Sequence, residues 1–224
     1  MAGEVKGSRT YISPLRAEQA DQTRQRILSA ARELFLERGY AGTKVQDVAA
    51  AARVSPDTVY VALGGKKGLL EGVWSLAVTG SHDPEGREQR ERVEAIASCP
   101  DPRDRLRLLV ELSCETLGRV SPVHAVLRAA ADGHPFAADL QARMLGSRLD
   151  TQARNLRAVL GDAVLQPGLT VEDAAEHYSA LLSPELFHLL TVVREWTLDR
   201  YQHWVWETLC REFFAGPGRP PSQT

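Results

Sequence analysis

Punctuation between residues 27 and 70 constrains this chain more than any other feature. Gly39-Tyr40, Arg53-Val54, Ser55-Pro56 and Gly64-Gly65 cut the segment into one long apolar-periodic run and two very short ones. Helices of about two turns do not hold themselves in water. The short runs must be fixed by packing on the long one and on each other, so the segment folds as a compact three-helix unit or not at all. From Ala20 to Arg38 the apolar residues fall at Ile27, Ala31, Leu34 and Phe35, with Leu28 in support, which is helical spacing. Gly39 sits where a glycine ends a helix. Thr43 is expected to cap the second helix, with Gln46 closing a capping box and Val45, Val48, Ala49 and Ala52 on its buried side. Ser55 is expected to cap the third, with Pro56 in its first turn. Val59 and Leu63 point inward there, and Thr58, Tyr60 and Val61 lie on other faces. Helix, turn and a short polar-surfaced helix is the geometry that enters a DNA major groove.

The rest of the chain keeps helical spacing. A fourth helix starts at Lys66, with Leu69, Leu70, Val73, Trp74 and Ala77 inward and no flexible linker before it. Gly68 and Gly72 read as softening it. After a loop from Gly80 to Gly86, helices are expected near 87–98, 102–119, 122–132, 135–160, 171–182, 185–193 and 198–214, with Thr170 capping the helix at 171. Strand alternation is hard to find, so the fold class is all-α. The expected organisation is a flexible basic arm over 1–19, a helix-turn-helix domain over 20–65, a larger helical ligand-binding and dimerisation domain over 66–215, and a disordered tail over 216–224. The arm carries Lys6, Arg9 and Arg16; it is either a frayed terminus or a segment that follows DNA.

Net charge is −2 across 224 residues, but residues 1–75 carry three more basic than acidic residues and the remainder five more acidic than basic. That split suits a protein presenting one end to a polyanion. Cys99, Cys114 and Cys210 are too few, too far apart and odd in number for a disulfide framework. There is no signal-like segment and no membrane-length apolar run, so a soluble, cytoplasmic protein without membrane contact is expected. The histidines form no metal-ligand pattern, and no nucleophile elbow, phosphate loop or dinucleotide fingerprint occurs. The expectation is a non-enzyme with no cofactor and no metal.

The N-terminal segment resembles the tetracycline-repressor (TetR) family of transcriptional regulators. The residues that carry the likeness are Ile27-Leu28, Ala30-Ala31, Leu34-Phe35, Gly39-Tyr40, Thr43, Val48-Ala49, Val54-Ser55, Thr58-Val59-Tyr60, Lys66 and Leu69-Leu70. Arg53 stands where the family usually has glycine, so it either occupies a left-handed turn at a cost of about 1 kcal/mol relative to glycine or reaches a phosphate, and Ala62-Leu63 stand where the family often has His-Phe. The resemblance implies a homodimer on a palindromic double-stranded DNA operator, acting as a repressor and released by a small apolar effector. The alternative is a helical binding module with altered or lost DNA binding, which Arg53, Asp57 and Ala62 would favour.

By resemblance and by geometry, Thr43, Lys44, Gln46, Pro56, Asp57, Thr58, Tyr60 and Lys66 are the expected DNA-contacting residues. Lys44 and Lys66 suit phosphate; Gln46, Asp57 and Thr58 suit base edges. Asp57 either accepts from cytosine or only favours its helix N-terminus. Tyr60 is either a backbone contact or a core aromatic. Effector-lining candidates are Trp74, His124, Arg128, Met144 and Tyr178. The aromatic last helix offers Tyr201, Trp204, Val205, Thr208, Leu209 and Phe213 as the dimer face, with an intramolecular core helix as the alternative.

Overall fold

A computed structural model describes residues 14–80, 86–161, 163 and 165–214. The expected tail at 216–224 and the arm up to residue 13 lie outside the described residues. Helix α1 runs Pro14–Gly42, and its backbone leaves helical geometry at Gly39. The break is where the sequence places it, whereas the start is not: residues 14–19, expected in the arm, are helical. Helices α2 (Val45–Ala52) and α3 (Pro56–Leu63) follow as two-turn elements. Then come α4 (Lys66–Thr79), α5 (Arg87–Ala97), α6 (Pro102–Ala131), α7 (Pro135–Leu160), α8 (Val171–Leu181), α9 (Pro184–His188), a π-helical turn over Leu189–Val193, and α10 (Leu198–Phe213). The described residues contain one isolated antiparallel bridge, Leu165 to Phe214, and no strand. Among them, no helix is long and apolar enough to cross a membrane.

Caps explain most boundaries. The Ser55 hydroxyl accepts from the Thr58 amide at 3.1 Å, with Pro56 behind it. Thr170 and Asp173 form a reciprocal capping box at α8, and Thr197 accepts from the Arg200 amide at α10. Each such cap stabilises its helix by about 1 kcal/mol. Thr43 corrects the expectation at α2. It does not cap that helix; its hydroxyl turns back and donates to the Gly39 and Leu34 carbonyls at the end of α1, and Lys44 takes the cap position without a side-chain bond.

Pro122 is the other surprise. A break was expected at Ser121-Pro122, yet α6 is one helix of 30 residues with the proline inside it. The missing amide costs one backbone bond. Packing on α1, α4 and α7 outweighs that, since Val120, Val123 and Leu127 around the proline are all buried.

The apolar residues form two cores. One joins Ile27 and Phe35 of α1, Val48 of α2, Val59 of α3 and Leu69 and Leu70 of α4 to Leu127 of α6 and Leu140 of α7. It therefore extends past residue 65, through the fourth helix and into the α6–α7 hairpin. The other gathers Leu106 and Leu109 of α6, Leu156 of α7, Tyr178 of α8, Phe187 of α9, and Tyr201, Leu209 and Phe213 of α10. Each fully buried Leu or Phe contributes about 1.5–3 kcal/mol of transfer free energy.

Tyr201, Val205, Leu209 and Phe213 are thus the inner face of α10, with no exposed area left for a partner. This corrects the expected dimer face at those four positions. Trp204 and Thr208 are half-buried; the Trp204 ring meets Trp196 edge-on at 5.7 Å, and the Thr208 hydroxyl is sequestered. Exposed apolar groups lie elsewhere: Leu189, Val192, Val193 and Leu198 cluster around the π turn, Leu145 and Leu149 lie on α7, Leu36 on α1, and Tyr60 and Val61 on α3.

Candidate functional site

The surface formed by α2 and α3 is built on caps and close approaches. Lys44 and Gln46 are exposed at the start of α2, where unpaired backbone amides and the positive helix end attract anions. On α3, Pro56, Asp57, Tyr60 and Val61 are exposed, while Val59 and Leu63 pin the helix from beneath. Tyr60 is 52% exposed, so it is a surface aromatic and not a core one. Its ring packs close to Gly65, where an added Cβ would come within 2.7 Å of the ring. Gly65 also has φ 88°, so no other residue suits this contact.

Two of the expected contacts point elsewhere. Thr43 is 1% exposed and its hydroxyl is fully engaged, so it offers DNA no side chain. Thr58 is half-buried, with its hydroxyl 2.8 Å from that of Ser55; it belongs to the cap as much as to the surface. Lys66 is only partly available. Its ammonium donates to the Ala41 carbonyl at 3.2 Å and sits 4.5 Å over the Tyr40 ring, and burial pushes its pKa below the ordinary value. It ties the start of α4 to the end of α1, and the ammonium keeps two further donor protons.

Two side chains that the sequence did not single out for this surface contribute to it, Val61 and Arg24, and Arg53 joins them. Val61 is 89% exposed on α3, an apolar group of the kind that meets a thymine methyl. Arg24 of α1 donates to the Ala62 carbonyl at 2.9 Å and so anchors the end of α3. Arg53, in the turn, takes φ 56° and ψ 47°, the left-handed conformation the sequence suggested such a position would require, and its side chain is exposed. The signal for Val61 was present as an apolar residue off the inward face.

A second candidate site lies among α4, α5, α6 and α7. A cavity of about 140 Å³ is lined by the apolar Trp74, Val78, Leu117, Val120 and Met144 and by the polar Gln89, Ser113, Thr116, Ser147, Arg148, Thr151, Gln152 and Asn155. A smaller cavity of about 60 Å³ shares Trp74, Met144 and Arg148 with it and adds His124, Pro184 and Glu185. Of the expected lining residues, Trp74, Met144 and His124 come together here, with the Trp74 and His124 rings 6.3 Å apart. Burial holds the His124 imidazole below its ordinary pKa, more strongly than Glu185 at 3.4 Å raises it, so at neutral pH this contact joins a neutral ring to a carboxylate.

Arg128 and Tyr178 are corrections. Arg128 is exposed and lines neither cavity. Tyr178 is fully buried behind the wall; its hydroxyl lies 2.6 Å from that of Ser113, and burial drives its pKa well up. It holds Ser113 in place and does not reach the cavity. Arg148 was missed, although Ser147, Thr151 and Asn155 recur every four residues on the same helix and mark a polar stripe in an otherwise packed segment.

Residues 27–73 match the family model described as bacterial regulatory proteins, tetR family. The chain is 27% identical over 155 residues to the HTH-type transcriptional repressor NicS of Pseudomonas putida, a match covering 69% of this chain and 64% of that protein. Among solved structures it resembles NalD, the secondary repressor of the MexAB-OprM multidrug efflux pump in Pseudomonas aeruginosa, with a TM-score of 0.66 and 23% identity over 89% of this chain and 100% of that one. It also resembles SmeT in its complex with triclosan, with a TM-score of 0.66 and 19% identity over 91% and 99% of the two chains.

Proposed function

We propose that the chain, whose residues 27–73 match the tetR-family model, is a dimeric, effector-responsive DNA-binding repressor of that family. The observation that carries this reading is the outward face of α3. Pro56, Asp57, Tyr60 and Val61 are exposed on a helix fixed at both ends, by the Ser55 cap and by Arg24. A polar-surfaced helix held rigidly beside the exposed N-terminus of α2 is suited to a major groove. Lys44 supplies a phosphate contact, and Gln46, Asp57 and Val61 are the base-edge candidates. Tyr60 has a free hydroxyl for the sugar-phosphate backbone.

One two-turn helix reads too few base pairs for specificity, so a symmetric partner is required. With the aromatic face of α10 enclosed in its own protomer, the partner surface is the ridge of Leu189, Val192, Val193 and Leu198. The cavity between α4 and α7 receives the effector. Trp74 connects the two functions, since it lies on α4, which begins at Lys66 beside the DNA-facing unit. An effector that shifts Trp74 changes the spacing of the two reading heads. By linkage, effector and DNA then weaken each other equally, typically by 1–3 kcal/mol.

The deciding experiment is a gel-shift and footprint on the DNA upstream of the protein's own coding sequence. The expected result is protection of a palindrome with half-sites about 34–36 Å apart or a multiple of that. A single short asymmetric footprint, or no binding above that to random DNA, overturns the reading.

A further inference from the structure

The α4–α7 cavity has a charge pattern that selects among ligands. None of its lining residues is acidic. Its one charged group, Arg148, is substantially buried, and desolvation pushes its pKa below the ordinary arginine value, partly offset by Glu185. The Arg148 guanidinium spends one nitrogen, Nη1, on neutral acceptors: Gln152 Oε1 at 3.2 Å and the Ser179 and Leu182 carbonyls at 3.3 Å. Among the described residues it has no carboxylate within ion-pair distance, and the nearest influence of that sign is Glu185, already beside His124. A guanidinium removed from water without a counter-ion is costly, and an anion placed next to it recovers that cost.

Size and shape narrow the choice. About 140 Å³ is close to the roughly 150 Å³ of an apolar protein cavity that holds one benzene ring. Trp74 and Val120 supply apolar lining, and Thr151 and Asn155 of α7 supply partners for polar substituents. Met144, unbranched and adaptable, lines both this cavity and the smaller one.

We propose that the effector is a small amphipathic anion, a single-ring carboxylate whose ring packs on Trp74 and whose carboxylate meets Arg148. This rests on the reading of the larger domain as the effector-binding domain and narrows it from an apolar molecule to an anionic one. A cation finds no acidic residue in the lining of this cavity, the one nearby carboxylate being Glu185 in the smaller cavity.

The test compares three probes of one shape and different charge on the full-length protein by calorimetry at pH 7.5: benzoate, benzyl alcohol and benzylamine. Benzoate is expected to bind saturably, one per protomer, with benzyl alcohol about tenfold weaker, the worth of one charge-assisted contact, and benzylamine weaker still. In Arg148→Gln, which retains a hydrogen-bonding side chain, the preference for benzoate over benzyl alcohol falls to about one while alcohol binding persists. The wild-type comparison stands even if that variant does not fold. The proposal is overturned if the alcohol or the amine binds as well as benzoate, if none of the three binds, or if Arg148→Gln keeps the preference. The same probes are added to the DNA complex. Benzoate that binds without releasing DNA removes the induction reading and leaves the anion site; release by neutral or cationic compounds alone does the reverse.

Discussion

Arg53 shows how one side chain can work against the backbone that carries it. A left-handed conformation costs a residue with a Cβ about 1 kcal/mol relative to glycine, and Arg53 adopts it at the end of α2. Arg53→Gly is therefore expected to raise unfolding stability by about 1 kcal/mol, read from urea melts. Loss of DNA affinity in the same variant would identify what the arginine supplies in return. His124 carries a pH signature. Its folded pKa is depressed, so between that value and the ordinary 6.5 the unfolded chain binds more protons. Stability contributed by the neutral ring is present above about 6.5 and is lost as pH falls through the window. Melts at pH 7.5 and 5 are expected to show a larger loss in the wild type than in His124→Gln; equal losses would remove His124 from the acid response. At this scale the sequence was legible where chemistry is local: the cap at Ser55 and the strained turn at Arg53 need only their neighbours. Thr43 was misread because it has two helices within reach and no local signal says which one its hydroxyl serves.

At the scale of elements, the fourth helix reverses an expectation. Gly68 and Gly72 were read as softening it, but they are points of close approach. A Cβ on Gly68 would fall on the Leu63 carbonyl, and one on Gly72 would lie 2.6 Å from a Leu28 methyl. Gly68→Ala is expected to cost more than 2 kcal/mol by forcing backbone apart, and Gly72→Ala less, because Leu28 can shift. A neutral Gly68→Ala, measured by thermal unfolding, would contradict this packing. Helix existence was readable throughout from apolar spacing. Which face looks inward was readable only where one stripe was available. On α10 apolar groups cover a broad arc, and the choice among them is made by α6, α8 and α9, whose positions no local pattern specifies. Pro122 was misread for the same reason: the helix persists because of what packs around it.

For the whole molecule, the assignment of the partner surface to the π-turn ridge predicts that Val192→Glu yields a 24.6 kDa species by light scattering where the wild type gives about twice that mass, with specific DNA binding lost. A Val205→Glu variant would instead damage the protomer's own core, seen as a lowered melting temperature. Lys44→Ala is expected to weaken binding to every sequence and to reduce the salt slope by about 1 per protomer, while Gln46→Ala changes base preference at one position of each half-site by about 1–3 kcal/mol. An unchanged salt slope would remove Lys44 from the phosphate contacts.

The core that runs from Ile27 through Leu69 to Leu127 and Leu140 has a bearing on modularity. Recombining regulators by cutting after the recognition helix presumes that the reading head is a cassette. Here the Tyr40 ring meets His134 edge-on at 5.3 Å, at the tip of the α6–α7 hairpin. The heritable unit is therefore the three-helix head together with α4 and that hairpin tip. A chimera joined at residue 65 inherits a mismatched seam, and one that carries residues 120–144 along with the head inherits a native one.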